Sequence, residues 1–312
     1  MTSQELESLP VRDLKARLRE LGCTDFSQFV ERSDLIRALS SSQPGSVQEE
    51  PLVNLCVDTP PVGSAWASSS SSIGPTDGNA EREVEIGDGF RVRVAEQRSA
   101  FDNSNTGAVL WDASVRLARY VVQLGRCKLA GKHVIELGCG TGLAGLAAGM
   151  QGAHVTLTDL QEVLSQTTEA NLEANLPALR KPGGAAASTV KLQPLAWGGS
   201  VDHLDPRPPF DYILAADIVY KPELFEPLKQ TLLQLSGAGT RVLLSYTRRR
   251  SQEEWFFSSL CEDFHCSVVG DACAAPTEGG EGHCGEDGWR SFRTFGESAI
   301  FLLVRRPGGS SL

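Results

Sequence analysis

Apolar positions in this chain fall into two kinds of run. Short unbroken runs read as buried strands: VIEL (134–137), AHVTLTDL (153–160), FDYILAAD (210–217), RVLLSY (241–246), CSVV (266–269) and AIFLLVRR (299–306). Between them apolar residues recur every three or four positions, the spacing of a helix with one buried face. Leu117, Val121 and Leu124 follow this rule after Trp111, and so do Leu143, Leu146, Ala147 and Met150. PELFEPLKQTLLQL (222–235) and EEWFFSSLCEDF (253–264) are two further helices. Pro222 stands near a helix start, and Gly152 and Gly237 stand where helices stop. EVEIGDGFRVRVAE (83–96) alternates around Gly-Asp-Gly and predicts a hairpin ahead of the main fold. Strands alternating with helices predict an α/β layer fold, a doubly wound sheet of about seven strands ending in a hairpin.

The first residues differ. Val11, Leu14, Leu18 and Leu21 form one helical stripe between Pro10 and Gly22, and Leu35, Ile36 and Leu39 form a second. Residues 1–40 therefore read as a small all-α module. Residues 41–80 are rich in Ser, Pro and Gly, with five consecutive serines from Ser68. Such a segment buries too little apolar surface to repay its ordering and is expected to be a flexible linker. Residues 81–308 form the α/β domain.

Composition narrows the function. A net charge of −10 argues against general affinity for nucleic acid or acidic membranes. No run of about 18 apolar residues suggests a membrane span, and the acidic start has no secretory pattern. Eight cysteines without framework spacing suggest a reducing compartment, cytoplasmic or nuclear. Cys261, Cys266, Cys273, His283 and Cys284 contain no C-x-x-C pair, so no metal site is expected.

The densest chemical signal is VIELGCGTGLAGLAAGMQGAHVTLTDL (134–160). A strand ends in Glu136, glycine follows at 138, 140 and 142, a helix intervenes, and a second strand ends in Asp159. Glycine lets a backbone turn approach a ligand closely. Asp159 stands about 20 residues on, where an acid grips ribose hydroxyls. Glycine spacing alone admits a dinucleotide, since Gly140, Gly142 and Gly145 match its pattern. Charge is the better discriminator: a pyrophosphate would meet Glu136 as an unwelcome neighbour, whereas the ammonium of S-adenosylmethionine suits it.

Four blocks in order carry a more specific resemblance: TGAVLWDASVRLARY, the glycine-loop segment through Asp159, LAWG, and FDYILAADIVY. Residues 83–306 resemble the family-16 seven-strand methyltransferases, the non-histone protein lysine methyltransferases; the chaperone- and AAA-ATPase-modifying members look most similar. The resemblance implies a Rossmann-like class I methyltransferase fold and S-adenosylmethionine as cofactor. It places cofactor contacts at Trp111, Gly138, Cys139, Gly140, Asp159, Trp197 and Ala216; on charge alone, Glu136 is expected to pair with the cofactor ammonium. The implied partner is a protein substrate, a chaperone or AAA ATPase, with the enzyme acting as a monomer.

DIVY (217–220) follows the fourth sheet strand, where methyl donor and acceptor should meet. Asp217 is the candidate to orient or deprotonate an acceptor amine, and Tyr220 to wall it. Enzymes acting on adenine or glutamine nitrogens resemble one another in an Asn/Asp-Pro-Pro-aromatic turn here; this chain has Ile218 and Val219 instead. Histidine, RNA and small-molecule acceptors stay open, as does a non-catalytic adaptor. The basic cluster TRRR (247–250) faces an acidic target surface in this reading, and the glycine-rich stretch 270–298 is a substrate-facing or disordered insertion. The helical pair resembles SAP-like modules, but six basic residues oppose seven acidic ones over 1–40, so protein docking is expected rather than DNA binding.

Overall fold

Seven strands pair in the order β5-β4-β3-β6-β7-β9-β8, and only β9 runs against the others. The computed structural model describes residues 9–20, 35–36, 39, 79–97, 106–179, 188–248, 253–269 and 298–306. Its strands are β1 (Asn79–Gly87), β2 (Phe90–Gln97), β3 (His133–Leu137), β4 (His154–Asp159), β5 (Val190–Pro194), β6 (Tyr212–Ala216), β7 (Arg241–Thr247), β8 (Phe264–Val269) and β9 (Ser298–Arg305). Its helices are α1 (Val11–Glu20), α2 (Asp112–Leu129), α3 (Leu143–Met150), α4 (Gln161–Val163), α5 (Glu169–Leu179), α6 (Phe225–Leu235) and α7 (Glu253–Asp263). A π turn, Leu164–Thr168, joins α4 to α5 without a break. The fold is the doubly wound α/β arrangement that the apolar pattern predicts, and it is Rossmann-like as the resemblance implies.

Side chains alternate across each strand, so neighbours serve opposite faces. Val134, Tyr212, Leu214 and Leu243 join the core beneath α2 and α3, together with Ile86, Val92 and Val94 of the β1–β2 hairpin. Ile135, Ile213, Ala215, Val242 and Leu244 join the core beneath α6 and α7, with Leu228, Leu232, Phe256 and Leu260. Every residue of α3 is buried, which suits a helix wedged between the sheet, α2 and the hairpin.

Several boundaries differ from the expected ones. β1 begins at Asn79, inside the stretch assigned to the linker, because its pairing with β2 runs out to Gln97. β8 begins at Phe264, directly after α7, two residues before CSVV. α2 contains a break at Gly125 (φ 69°, ψ 178°), a conformation open to glycine, and resumes to carry Cys127. In the amino-terminal module Leu14, Leu18, Leu35 and Leu39 form a small cluster against which Cys127 of α2 packs. Val11, assigned to that stripe, is 41% exposed. Leu21, the linker up to residue 78 and residues 270–297 lie outside the described residues. Among the described residues, no helix is long and apolar enough to cross a membrane.

Candidate functional site

The carboxyl ends of β3, β4 and β6 and the turn after β5 bring the predicted residues to one edge of the sheet. The glycine loop leaves β3 with Gly138 (φ 58°), Gly140 (φ 50°) and Gly142 (φ 79°) all in the left-handed region. Two of these glycines are also needed for space. A Cβ on Gly138 would lie 2.9 Å from Ile218 and 3.0 Å from the Trp197 ring, and one on Gly140 would lie 2.9 Å from the Gly107 carbonyl oxygen.

Hydrogen bonds fix this loop nearly atom by atom. Cys139 N donates to the Thr158 carbonyl (2.9 Å) and Gly142 N to the Cys139 carbonyl (2.7 Å). Gly140 N donates to Asp159 Oδ2 (2.9 Å), and Thr168 Oγ1 donates to the Gly140 carbonyl (2.7 Å). Asn171 Nδ2 reaches the Thr141 carbonyl at 3.0 Å. The π turn, a feature that recurs at functional sites, delivers Thr168 to the loop.

Asp159 binds backbone with both oxygens, since Oδ1 accepts the Leu160 N–H at 2.8 Å. A carboxylate has about four acceptor positions, so two remain for the hydroxyls of a ligand. Burial raises its pKa above the ordinary value, and the Gly140 and Leu160 N–H groups oppose that shift. Its carbonyl accepts the Leu195 N–H at 2.9 Å, which hangs the LAWG turn, and thus Trp197, from the same residue. Gly198 N then donates to Thr231 Oγ1 of α6 at 2.8 Å. Trp197 is half-buried beside Gly138, and Ala216 is buried at the end of β6.

Glu136 is placed differently from expectation. Alternation puts it on the face shared by Val134, toward α3, and it is 1% exposed. Its Oε2 accepts the Gly145 N–H at 2.7 Å. The missing side chain at Gly145 makes the room: a Cβ there would overlap Leu157 and lie 2.7 Å from Oε2. Burial pushes the Glu136 pKa up to about 8, with the Gly145 hydrogen bond opposing and the Asp159 charge adding. Glu136 therefore fastens the loop to its helix from beneath rather than lining an open surface.

Cys139 is buried and contacts Thr168 Oγ1 at 3.7 Å. Burial raises its thiol pKa well above the ordinary value, as do the Asp159 and Glu136 charges, so it carries no thiolate chemistry. Trp111 caps α2 by backbone alone, and its indole N–H donates to the Thr106 carbonyl at 3.1 Å. The 3-10 turn Thr106–Ala108 lies over Gly140, so Trp111 stands at the loop's outer side.

Asp217 adopts φ 60°, one of two non-glycine residues in the left-handed region among those described; the other, Asp88, sits in the hairpin turn. Its N–H donates to the Ser245 carbonyl of β7 at 2.9 Å. Such a conformation is disfavoured for a side chain with Cβ and persists where the surroundings impose it, often at functional sites. Ile218, the next residue, packs on Gly138. Tyr220 is half-buried, with Lys221 Nζ 5.5 Å from its ring centre.

Two other predicted features lie elsewhere. Cys261 and Cys266 contact each other, Sγ to Sγ 3.1 Å, and Cys273, His283 and Cys284 are outside the described residues. Of the TRRR cluster, Arg248 pairs with Glu254 at 3.7 Å, while Arg249 and Arg250 are outside the described residues. A groove of ≈ 160 Å³ lined by His133, His154, Thr189, Lys191 and Asp205 opens at the opposite edge of the sheet and shares no residue with this site. Sequence reasoning missed Thr168, Asn171 and Asn175, all buried on the helix after β4. The N-x-x-x-N spacing, one helical turn, was the available signal.

Known proteins match the same region. A family model described as lysine methyltransferase covers residues 93–263. Protein N-lysine methyltransferase METTL21A of Danio rerio is 40% identical over 179 residues, 57% of this chain and 77% of that protein. The Mus musculus protein of the same name is 36% identical over 180 residues, 58% of this chain and 78% of its own length. EEF1A lysine methyltransferase 3 of Xenopus tropicalis is 34% identical over 182 residues, covering 58% and 75% of the two chains.

Proposed function

This chain belongs to the lysine methyltransferase family, and we propose that it methylates a lysine side chain of a non-histone protein, using S-adenosylmethionine. One observation carries the reading beyond family membership: the left-handed Asp217 stands directly before Ile218, which packs on the glycine loop. A candidate acceptor group thus adjoins a candidate donor cradle.

The residues fit the cofactor. Asp159 has acceptor positions for both ribose hydroxyls, Trp197 offers an aromatic face and an indole donor at the adenine edge, and Trp111 covers the methionine arm. Gly138, Cys139, Gly140 and Ala216 contribute backbone and small surfaces that allow close approach. Glu136, buried behind the loop, accepts the Gly145 N–H and so steadies the loop from beneath. S-adenosylmethionine, when bound, supplies a methyl group activated by its sulfonium charge.

Asp217 and Tyr220 act on the acceptor. A lysine ammonium has no lone pair, and its pKa of about 10.4 must fall before it can attack. Exclusion of water by Tyr220 and the closing surfaces lowers that pKa, whereas a carboxylate alone would raise it. Asp217 therefore serves best as an acceptor that aligns the neutral amine and receives its proton.

The Xenopus tropicalis relative is named for EEF1A; targets for this chain are sought first among chaperones, AAA ATPases and EEF1A itself. In the same reading, residues 81–308 form the catalytic domain, and the helical pair of residues 1–40 contributes docking to the protein substrate. The experiment is labelling: full-length enzyme, cell lysate and methyl-labelled S-adenosylmethionine, followed by mass spectrometry of the labelled protein. Label is expected on one lysine and is lost when that lysine becomes arginine. Label on histidine or RNA, or no transfer despite cofactor binding, would displace the proposal in favour of another acceptor or an adaptor.

A further inference from the structure

The β1–β2 hairpin is not part of the seven-stranded sheet, yet the free edge of β2 is not left bare. Two buried asparagines, Asn171 and Asn175, occupy it, one helical turn apart on α5. Asn175 Oδ1 accepts the Arg93 N–H at 2.9 Å, and its Nδ2 donates to the Arg93 carbonyl at 2.7 Å. Asn171 repeats the pattern at Ala95, accepting N–H at 2.7 Å and donating to the carbonyl at 3.3 Å. A primary amide offers one acceptor and parallel donors, as a peptide group does, so the pair imitates a neighbouring strand at alternate residues.

The two asparagines then diverge. The remaining donor of Asn175 stays within its own helix, on the Asn171 carbonyl at 2.7 Å. The remaining donor of Asn171 goes to Thr141 in the glycine loop at 3.0 Å. One residue beyond Ala95, Glu96 accepts the Leu110 N–H at 3.1 Å through Oε2 and pairs with Arg82 at 2.9 Å through Oε1. Leu110 immediately precedes Trp111. The glycine loop, through Asn171, and the Trp111 segment, through Glu96, are therefore tied to adjacent residues of one strand.

We propose that Asn171 is a positioning residue of the donor site, setting the glycine loop in register with Trp111 through β2, so that the hairpin is part of the cofactor-binding apparatus. This rests on the S-adenosylmethionine reading above. The competing account is that the hairpin only covers the core around Ile86, Val92 and Val94. Under that account both asparagines matter equally and only for stability.

The test compares full-length wild type, Asn171→Leu and Asn175→Leu. Each leucine is close to asparagine in size and removes both hairpin bonds, so both variants should melt several degrees below wild type. Calorimetry with S-adenosylmethionine and with S-adenosylhomocysteine is run well below both melting points. Kd should rise tenfold or more in Asn171→Leu and stay within about twofold of wild type in Asn175→Leu. Steady-state kinetics should show the Asn171→Leu loss mainly in KM for the cofactor. If Asn171→Leu lacks cooperative melting, Asn171→Ser is read in its place, with the same Kd rise expected. Equal Kd changes in the two positions, or none in either, would overturn the proposal. A wild type without measurable affinity would remove the cofactor reading itself, and this inference with it.

Discussion

The two sides of the site are built by opposite means. On the proposed donor side, Gly138–Gly142 is fixed by hydrogen bonds with Thr158, Asp159, Thr168 and Asn171 and by one within the loop, and Cys139 is buried. On the proposed acceptor side, the Asp217 N–H is tied to Ser245 while Asp217 and Tyr220 stay half-buried. The donor loop has glycine wherever the left-handed region is used; the acceptor segment enters it with an aspartate. A cradle for a ligand that is the same in every turnover can be rigid and prebuilt. A segment that meets a macromolecule must leave its reactive side chain reachable, and local backbone strain is one way to aim it.

Three substitutions probe that contrast. The largest effect is expected for Asp159→Ala, which should abolish measurable cofactor binding in calorimetry while the chain still melts cooperatively. Two hydrogen bonds to a charged carboxylate, about 1.5–3 kcal/mol each, correspond to roughly two to four orders of magnitude in affinity. Unchanged affinity would mean that the donor loop does not bind the ribose through this residue. Asp217→Ala should do the reverse, leaving Kd for S-adenosylmethionine within about twofold and lowering kcat by about 100-fold or more. A matching loss of affinity would erase the distinction between the two sides.

The smallest effect concerns Glu136. Its carboxyl, ordinarily near 4.5, is pushed up to about 8 by burial. The folded protein retains a proton there that the unfolded chain releases near pH 4.5. This group's contribution to stability is therefore fully present below about pH 4.5 and lost as pH rises through about 8. Burial raises the Asp159 pKa too, so it acts in the same direction. Glu136→Gln keeps an oxygen for the Gly145 N–H without a charge to bury. It should melt several degrees above wild type at pH 8, on the order of 1–2 kcal/mol, with the gap closing toward pH 4.5. A pH-independent gap in thermal melts would mean that Glu136 titrates alike in the folded and unfolded chain.

The contrast also explains what the sequence disclosed. Buried strands and one-faced helices leave periodic traces, so β3, β4, β6, β7 and α6 were legible from apolar spacing. β5 was harder, because Val190–Pro194 is only partly buried and alternates weakly. The π turn leaves no periodic trace at all, since it is one added residue inside a helix. Glu136 was read as a ligand contact from its charge; its strand parity with Val134 and the glycine at 145 pointed inward instead. Asn171 and Asn175 went unread because they bond to backbone, and a side chain that imitates a strand has no apolar signature. The positions of Asp159 and Asp217 were legible through their place at strand ends, where the sheet topology concentrates ligands; Trp197 was legible only through the resemblance carried by LAWG.

Helix α2 begins beside Trp111 and, past its break at Gly125, carries Cys127 against the amino-terminal cluster. From Trp111 to Leu124, the last residue before the break, the chain advances thirteen positions, a run of roughly 20 Å at helical rise. The helix thus works as a ruler with the proposed donor site at one end and the helical pair proposed for docking at the other. A partner held by that pair would have to present its lysine at about this distance from where it is gripped. Only a substrate with breadth can satisfy both ends at once, so selection by shape would be written into the spacing of one helix.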